Sequence, residues 1–448
     1  MKLHTFKIGG IHPAENKIAA GKPIENMPLP AEVVLPVAQH IGAPAKSVVK
    51  KGDKVKRGDM VAEAGGFVSA PVHSPISGTV VKIDVCRTPQ GLPVEAIYIK
   101  SDEADREADA KALEQRETPA RSEAEIAALD GKAIIDIIKN AGIVGLGGAT
   151  FPCHVKLSPP PGSKAEVVII NAAECEPCLS CDDMLMRENP REIVKGVSLL
   201  MKAAGVSRGV IAIENNKPEA IEALTQAAST VPGIEVMPMK VKYPQGGEKQ
   251  LIEAVIGKEV PSGGLPIATG AIVQNVATAY AVYRAVVLGE PLMDRVLTLH
   301  DGNTGRNLRV PFGTILATLT EGLEEPEKII IGGPMMGRTA STLQTPMIKG
   351  TSGILLDKRY AHRRPVENCI RCGRCSDACP MGLEPFLLAT LSRLKEWDEV
   401  EANKVANCIE CGSCSYACPA SRPVVDFVRL GKQKVMAAMR ARAAAKKA

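Results

Sequence analysis

Eight of the thirteen cysteines fall in two matching strings near the C-terminal end of the chain. Both strings have the spacing C-x2-C-x2-C-x3-C-P, which is typical of 4Fe–4S clusters. Structural zinc sites instead take their four ligands as two separated pairs. The positions are Cys369, Cys372, Cys375 and Cys379 in the first string, and Cys408, Cys411, Cys414 and Cys418 in the second. Two complete strings therefore predict two 4Fe–4S clusters and an electron-transfer function.

The last cysteine of each string is expected to serve the other cluster. Three thiolates on one tight loop can hold three corners of a cubane, whereas the fourth opens a helix that points away. In two-cluster ferredoxins that fourth cysteine binds the neighbouring cluster. The predicted ligands are Cys369, Cys372, Cys375 and Cys418 for cluster 1, and Cys379, Cys408, Cys411 and Cys414 for cluster 2.

Composition limits the remaining possibilities. The chain has 448 residues and a net charge of +5, with its basic residues dispersed, so nucleic-acid binding is not predicted. Cysteines with cluster spacing require reduced thiols, which favours a cytosolic setting. No stretch approaches the roughly 18 apolar residues of a membrane span. We therefore expect a chain without a transmembrane segment, whose membrane role, if it has one, comes through partners.

The N-terminal part is predicted to be mostly β. Short β-like runs between Ala43 and Lys100 are separated by glycine turns, and they resemble the barrel-sandwich fold of biotinyl and lipoyl domains. Those domains modify a lysine at a hairpin tip, but this sequence has no lysine between Lys56 and Lys82. A structural or docking module is expected, followed by an acidic, solvated linker helix over residues 101–125.

Apolar β-branched runs then alternate with amphipathic helices, which predicts a parallel sheet covered on both faces. The expected elements are strands 167–170, 209–214 and 234–241 and helices 133–140, 190–204, 218–228, 247–256 and 277–288. Residues 293–340 have the pattern of a small mixed β unit. The segment from about Asp357 is expected to be mostly helical around the cysteine strings.

Four loops of the α/β region contain residues suited to binding a phosphate or a nucleotide. Carboxyl ends of parallel strands are the usual ligand sites of such sheets, and glycines let backbone amides approach a phosphate. A helix precedes the glycines and Pro152 follows, which excludes a dinucleotide Rossmann fingerprint. The loops are Gly145–Pro152 with the nearby Lys156, Asn171–Pro177, Tyr243–Lys249 and Gln274–Val276.

Together these four motifs resemble the FMN- and NADH-binding flavoprotein subunit of respiratory complex I over residues 135–350. A resemblance that covers nearly the whole chain is to the C subunit of the Rnf ion-translocating oxidoreductase. It rests on Gly9–Pro13, the barrel-sandwich module, the Gly145 and Asn171 motifs and both cysteine strings. The doubled string favours the second family.

The resemblance implies a multidomain α/β chain. Its expected parts are an N-terminal arm, barrel-sandwich module and linker (1–125), a Rossmann-like FMN/NADH domain (126–292), a small β-grasp (293–355), a helical two-cluster ferredoxin-like domain (356–430) and a basic Ala-rich tail (431–448). It also implies FMN contacts at Gly145, Gly147, Gly148, Lys156, Asn171, Glu174 and Asn275. Phe151, Glu176 and Glu248 would flank NADH.

The implied function is electron exchange between NAD(H), FMN and the two clusters on the cytoplasmic face of the cell membrane. The partners would be the other Rnf subunits, a ferredoxin-like one among them. Two departures from the complex I pattern occur at Ala173 and Lys249, where acidic residues are usual. These departures keep open an electron-wire or scaffold subunit with a vestigial flavin site. A second alternative is a soluble NADH diaphorase subunit of a hydrogenase or dehydrogenase.

A third, shorter string has the spacing C-x2-C-x2-C and lies on the loop expected to hold the flavin. It consists of Cys175, Cys178 and Cys181, and Cys153 could supply a fourth ligand. No Cys-Pro follows it, and small buried thiols are common and inert. Inert thiols and an additional metal site are the two hypotheses for this string.

Overall fold

The computed structural model describes residues 3–89, 91–114, 119–357 and 364–445. The N-terminal arm crosses two other parts of the molecule. His4 and Ile11 form isolated bridges with Met239 and Tyr243 of the α/β domain. Strand β1 (Ile24–Asn26) then pairs in parallel with residues 307–309 of the β-grasp sheet. The sequence pattern gave no sign of this edge strand.

Two antiparallel sheets form the predicted barrel-sandwich module, and Val33, Leu35 and Ile97 are fully buried between them. The first sheet has the order β2 (Glu32–Pro36), β8 (Pro93–Lys100), β7 (Gly78–Arg87) and β4 (Lys54–Val55). The second has the order β3 (Lys46–Ser47), β5 (Met60–Glu63) and β6 (Val72–His73).

The linker was predicted as one solvated helix, whereas its described residues form two helices. Helix α1 (Glu103–Glu114) is separated from helix α2 (Glu123–Ala128), because Ser122 and Glu125 form a capping box that begins the second helix. Buried Asp109 accepts hydrogen bonds from the backbone and hydroxyl of Ser77. These bonds hold α1 against the barrel-sandwich module, while most of its other residues are exposed, as expected for a solvated helix.

The α/β domain has the predicted parallel sheet, with the order β11 (Ile234–Met239), β10 (Gly209–Glu214), β9 (Val167–Ala172) and β12 (Ala271–Asn275). Apolar side chains on both faces of these strands belong to separate core clusters. The helices are α3 (Gly131–Asn140), α4 (Cys153–Lys156), α5 (Cys181–Glu188), α6 (Pro190–Ala204), α7 (Pro218–Ala228), α8 (Glu248–Ile256) and α9 (Val276–Val287).

A six-stranded mixed sheet follows, and β1 of the arm is its edge strand. Its order is β1, β14 (Gly305–Pro311), β13 (Asp294–His300), β17 (Gly353–Asp357), β15 (Lys328–Ile331) and β16 (Arg338–Thr339). A short helix, α10 (Leu316–Leu319), lies between β14 and β15. The predicted small mixed β unit is therefore present, with one strand more than its own segment supplies.

The C-terminal part is helical in its described residues. Its helices are α11 (Arg374–Asp377), α12 (Pro385–Leu394), α13 (Trp397–Ala402), α14 (Ser413–Tyr416) and α15 (Val424–Ala445). Helix α15 continues through most of the predicted basic tail, whose last residues, 446–448, lie outside the described part. The expected start of this domain is residue 356. It lies close to residues 358–363, which are also outside the described part of the chain. No helix among the described residues is long and apolar enough to cross a membrane.

Lys349 joins three of these parts. Its ammonium donates hydrogen bonds of 2.8 Å to the carbonyls of Pro71 in the barrel-sandwich module and Gly142 after α3. Its backbone amide donates to the side chain of Gln39. Complete burial lowers the pKa of Lys349 to about 7, because the charged form loses its hydration.

This burial makes the junction sensitive to pH. Between pH 7 and 10.5 the unfolded lysine holds a proton that the folded lysine has released. The free energy of unfolding from this group therefore rises with pH in that window, by about 1.4 kcal/mol per unit. We expect Lys349→Met to flatten the rise of unfolding midpoint with pH, measured by denaturant titration. Exposed Lys240→Met is the control, and an unchanged pH slope in Lys349→Met would contradict the assignment.

Candidate functional site

Two asparagines lie side by side at the carboxyl ends of neighbouring strands. Asn171 of β9 and Asn275 of β12 are register partners in the parallel sheet. The Asn171 amide donates a 2.8 Å hydrogen bond to the Gly246 carbonyl, and the Asn275 amide donates a 2.8 Å bond to Asp182. The sheet edge therefore collects the second, third and fourth predicted loops, as expected for a ligand site between parallel strands.

The glycine loop borders the same edge. The Gly145 amide donates to the Phe151 carbonyl, and the Thr150 amide donates back to the Gly145 carbonyl, which closes the loop. A Cβ atom on Gly147 would lie 3.4 Å from Asn275, whereas one on Gly148 would meet nothing within 4 Å. The loop thus presents bare backbone to open space next to Asn275, which suits a phosphate or a flat ring.

Lys156 and Glu248 form an ion pair at this edge. The Lys156 ammonium lies 2.7 Å from a Glu248 carboxylate oxygen and donates a 3.0 Å bond to the Val273 carbonyl. Both side chains are only partly buried. A phosphate group could therefore take the place of the Glu248 carboxylate on Lys156.

Glu174 and Glu176 point away from each other. The Glu174 carboxylate accepts the amides of Asp182 and Asp183 and so caps the start of α5. The Glu176 carboxylate accepts the amides of Met335 and Met336 in the β-grasp domain. Burial raises the pKa of Glu176 to about 7, although both amides act in the opposite direction. Both carboxylates are therefore bound to backbone amides, and Glu176 reaches another domain.

Two lysines that support the loop were not predicted. Lys17 of the N-terminal arm donates to the carbonyls of Glu174, Glu176 and Leu179. Buried Lys217 donates a 2.7 Å bond to the carbonyl of Ala173, one of the two positions that depart from the complex I pattern. Lys17 is distant in sequence and lies in no motif, so only the fold could reveal it. Lys217 gave no signal beyond its place at a helix start.

The two cysteine strings repeat the same backbone. Arg371 and Glu410, at equivalent positions, have φ of 54° and 59°, and the glycines two residues later have φ of 77° and 79°. The amides of Arg371 and Glu410 donate to the sulfurs of Cys369 and Cys408 at 3.4 and 3.3 Å. This duplication supports two centres of the same kind, since amide donors to sulfur favour a thiolate.

Cys379 of the first string lies with three cysteines of the second. A small space that is partly open to solvent is lined by Cys379, Cys408, Cys411 and Cys414 among apolar side chains. Burial raises the pKa of the Cys414 thiol, and the charges of Cys411, Cys408 and Cys379 raise it further. Four thiols around one apolar space form the donor set of a cubane. This set is called the buried cysteine set below.

The remaining four cysteines are more open. Cys369 and Cys372 are exposed, and Cys375 and Cys418 are half-buried. The amide of Glu367 donates to the Ala420 carbonyl at 3.0 Å, so the chain before Cys369 lies against the chain after Cys418. Cys418 is thereby held near the first string, as the exchanged arrangement requires. This set is called the exposed cysteine set.

The buried cysteine set is packed directly onto the α/β domain. The Tyr243 hydroxyl donates a 2.7 Å bond to the Cys411 carbonyl, and the Gln250 amide donates a 3.1 Å bond to the Pro380 carbonyl. Cys175 belongs to the same apolar cluster as Tyr243 and Cys411. The Gly246 amide, whose carbonyl holds Asn171, donates to the Cys175 sulfur. A short run of contacts thus connects the sheet edge to the buried cysteine set.

The third cysteine string does not gather around one point for a single metal ion. Cys181 donates to the Ser352 carbonyl, while Cys175 faces Gly246. Among the described residues, the one group of three metal-ligating side chains within 4.8 Å of one another is Glu174, Cys181 and Asp182. Cys153 is buried against Gln274, and burial raises the pKa of its thiol to about 12. These contacts favour inert thiols.

Three family models match successive parts of the chain. The model of the RnfC barrel sandwich hybrid domain matches residues 4–104, that of the Nuo51 FMN-binding domain matches 138–284, and that of the 4Fe-4S dicluster domain matches 362–419.

The curated relatives match almost end to end. The C subunit of the Na(+)-translocating ferredoxin:NAD(+) oxidoreductase complex of Acetobacterium woodii is 42% identical, over 98% of this chain and 99% of the relative. The C subunit of the proton-translocating ferredoxin:NAD(+) oxidoreductase complex of Clostridium ljungdahlii is 44% identical, over 97% and 95%. Among solved structures, an NAD+-reducing NiFe-hydrogenase in the air-oxidized state aligns with a TM-score of 0.48 at 18% identity, covering 75% of this chain and 74% of that chain.

The exchanged arrangement predicts how paired cysteine substitutions combine. Cys379→Ser and Cys411→Ser should damage the same cluster, so the double variant should retain about four iron atoms per chain, like either single variant. Cys379→Ser with Cys372→Ser should damage both clusters and leave little iron. Iron content and EPR of anaerobically purified chains measure the difference. If the double variant with Cys372→Ser instead keeps more iron than the double variant with Cys411→Ser, each string holds its own cluster.

Proposed function

Since the chain belongs to the RnfC family, the C subunits of Rnf-type ion-translocating oxidoreductase complexes, we propose that it exchanges electrons between NAD(H) and its two clusters through a bound FMN. The domain matched by the FMN-binding model and the cluster domain are parts of one electron-transfer chain. The observation that carries the proposal is the contact between Tyr243 and Cys411, which places the buried cysteine set against the loops of the FMN-type domain.

The sheet edge fits a flavin mononucleotide. Gly147 and Gly148 supply a flat surface of bare backbone, and the adjacent asparagines supply amide groups. Lys156 supplies a positive charge, because a phosphate could replace Glu248 in its ion pair. We assign FMN binding to Gly145, Gly147, Gly148, Lys156, Asn171, Glu174 and Asn275. Glu174 would act by capping α5 and fixing its loop. When bound, FMN accepts two electrons as hydride and releases them singly, which is what one-electron clusters require.

The nucleotide would lie between the glycine loop and the β-grasp domain. Phe151 is half-buried near the end of the glycine loop, and its ring would pack against the nucleotide. Glu248 would turn from Lys156 toward the nucleotide when a flavin phosphate takes the lysine. Glu176, held by the amides of Met335 and Met336, would fix the β-grasp wall of the site. These residues would bind and orient the nucleotide. Hydride transfer also requires that water be excluded, and the β-grasp wall would shield the site from solvent.

We assign cluster 2 to Cys379, Cys408, Cys411 and Cys414, and cluster 1 to Cys369, Cys372, Cys375 and Cys418. Burial next to the α/β domain supports cluster 2 as the first acceptor, and exposure supports cluster 1 as the exit. Hydrogen bonds to sulfur and differences in solvation tune the two potentials. Of the expected domain boundaries, the one at residue 292 falls between α9 and β13, whereas those at residues 125, 355 and 430 fall within α2, β17 and α15.

The partners proposed are the other subunits of the complex, with a ferredoxin-like one among them, at the cytoplasmic face of the membrane. Support comes from the names of the near full-length relatives. Ion translocation would reside in those partners.

The scaffold or wire alternative has an observation in its favour. Ala173 stands where complex I proteins usually have an acidic residue, and its methyl group is fully buried. Lys249, at the second such position, lies on the first turn of α8. A scaffold or wire subunit with a vestigial flavin site would bind no FMN and oxidise no NADH, whereas a soluble diaphorase would oxidise NADH without membrane partners.

Lys156 provides the test of the flavin site. The purified chain, reconstituted with FMN and iron, should oxidise NADH with ferricyanide as acceptor. Lys156→Met should weaken FMN binding by about tenfold, because a charge-assisted contact to phosphate is worth about 1.5 kcal/mol. Fluorescence titration of FMN measures the dissociation constant, with exposed Lys164→Met as the control. Failure of the unaltered chain to bind FMN or oxidise NADH would support the vestigial-site alternative and contradict the proposal.

A further inference from the structure

The two cysteine strings have matching backbones but unequal cover. Ile409 of the second string packs against the cluster of Ile11 and Tyr243. Its counterpart in the first string, Ile370, is 70% exposed. The same apolar position is therefore an interface in one string and open surface in the other.

The glycines at the next equivalent position show the same contrast. A Cβ atom on Gly412 would lie 2.9 Å from the Met335 carbonyl, whereas one on Gly373 would meet nothing within 4 Å. Cys411 is 7% exposed, whereas Cys372 is exposed. The chain thus covers its second string with its own α/β and β-grasp domains, and leaves the matching face of the first string without cover among the described residues.

Charge also separates the two faces. Where the second string has Glu410 and Ser413, the first has Arg371 and Arg374. Glu410 pairs internally with Arg429 and Lys432 at 3.4 and 3.0 Å. Arg371 and Arg374 are exposed and form no ion pair within the described ranges.

We propose that residues 364–374, the exit face, bind a one-electron carrier protein of the same complex whose redox centre lies at an apolar surface ringed by carboxylates. All eleven residues are exposed. Ile370 would form the dry centre of the contact, and Arg371 and Arg374 its basic rim. Complementary charge raises the association rate, and the apolar centre lowers the dissociation rate.

The inference rests on the proposed function, because the face matters only if electrons leave here. One electron passes from the cluster held by Cys369, Cys372 and Cys375 to the carrier in each encounter. Each NADH supplies two electrons and so two such transfers, and no bond to the carrier forms.

The test uses membranes that contain the remaining subunits, prepared from cells without this chain. Arg371→Glu with Arg374→Glu should lower electron transfer from NADH to these membranes by about tenfold at low salt, and less as salt screens the contact. Cosedimentation should show the same loss of binding. The control is Lys50→Glu with Lys51→Glu, which changes net charge equally on the barrel-sandwich module.

The outcomes separate this inference from the proposed function. Unimpaired binding and transfer in the arginine variant, or equal loss in the Lys50 control, would overturn the exit face. The exit face would also be overturned if the arginine variant lost binding to vesicles of anionic lipid to the same extent as to the membranes, since the face would then recognise lipid. If the arginine variant loses iron, the Ile370→Ser variant is tested instead. We expect its cosedimentation with the membranes to be reduced, and cosedimentation equal to that of the original chain would contradict the exit face. Absent NADH oxidation in the unaltered chain refutes only the proposed function, because cosedimentation needs no NADH.

Discussion

The Tyr243 hydroxyl donates to the Cys411 carbonyl, and this contact joins the two chemically active parts of the chain. On one side, the turn that contains Tyr243 continues to Gly246, whose carbonyl receives the Asn171 amide at the sheet edge. On the other side, Cys411 belongs to the buried cysteine set. Electron transfer between a flavin and a cluster needs short separation, so the proposed path depends on this packing.

The duplicated cysteine strings gain different tasks from their surroundings. Both have the same turn, the same left-handed residues and the same amide-to-sulfur bonds. One half is then buried against the α/β and β-grasp domains, while the other remains open. Solvation is one of the factors that set cluster potential. This asymmetric setting of a repeated motif is consistent with the proposal that one cluster is the entrance and the other the exit.

Much of this arrangement could be predicted from local pattern. Helices 190–204 and 218–228 and strand 209–214 have the predicted bounds. Apolar periodicity defines all three, Pro stands at the first position of both helices, and Gly205 ends the first helix. The cysteine spacing likewise indicates clusters without any fold. The linker has a second helix that was not predicted, and Asp109 contacts Ser77 only through tertiary packing. Lys17 and β1 act across the whole molecule, and no local pattern encodes such partners.

The central claim is that electrons from NADH reach the clusters only through the flavin. Anaerobic mixing of the iron- and FMN-loaded chain with NADH, followed by flavin and cluster absorbance in one sample, tests it directly. We expect flavin bleaching to precede cluster bleaching or onward transfer. A flavin-depleted chain should show neither with NADH, although dithionite still reduces its clusters. Cluster reduction by NADH in the flavin-depleted chain would contradict the claim.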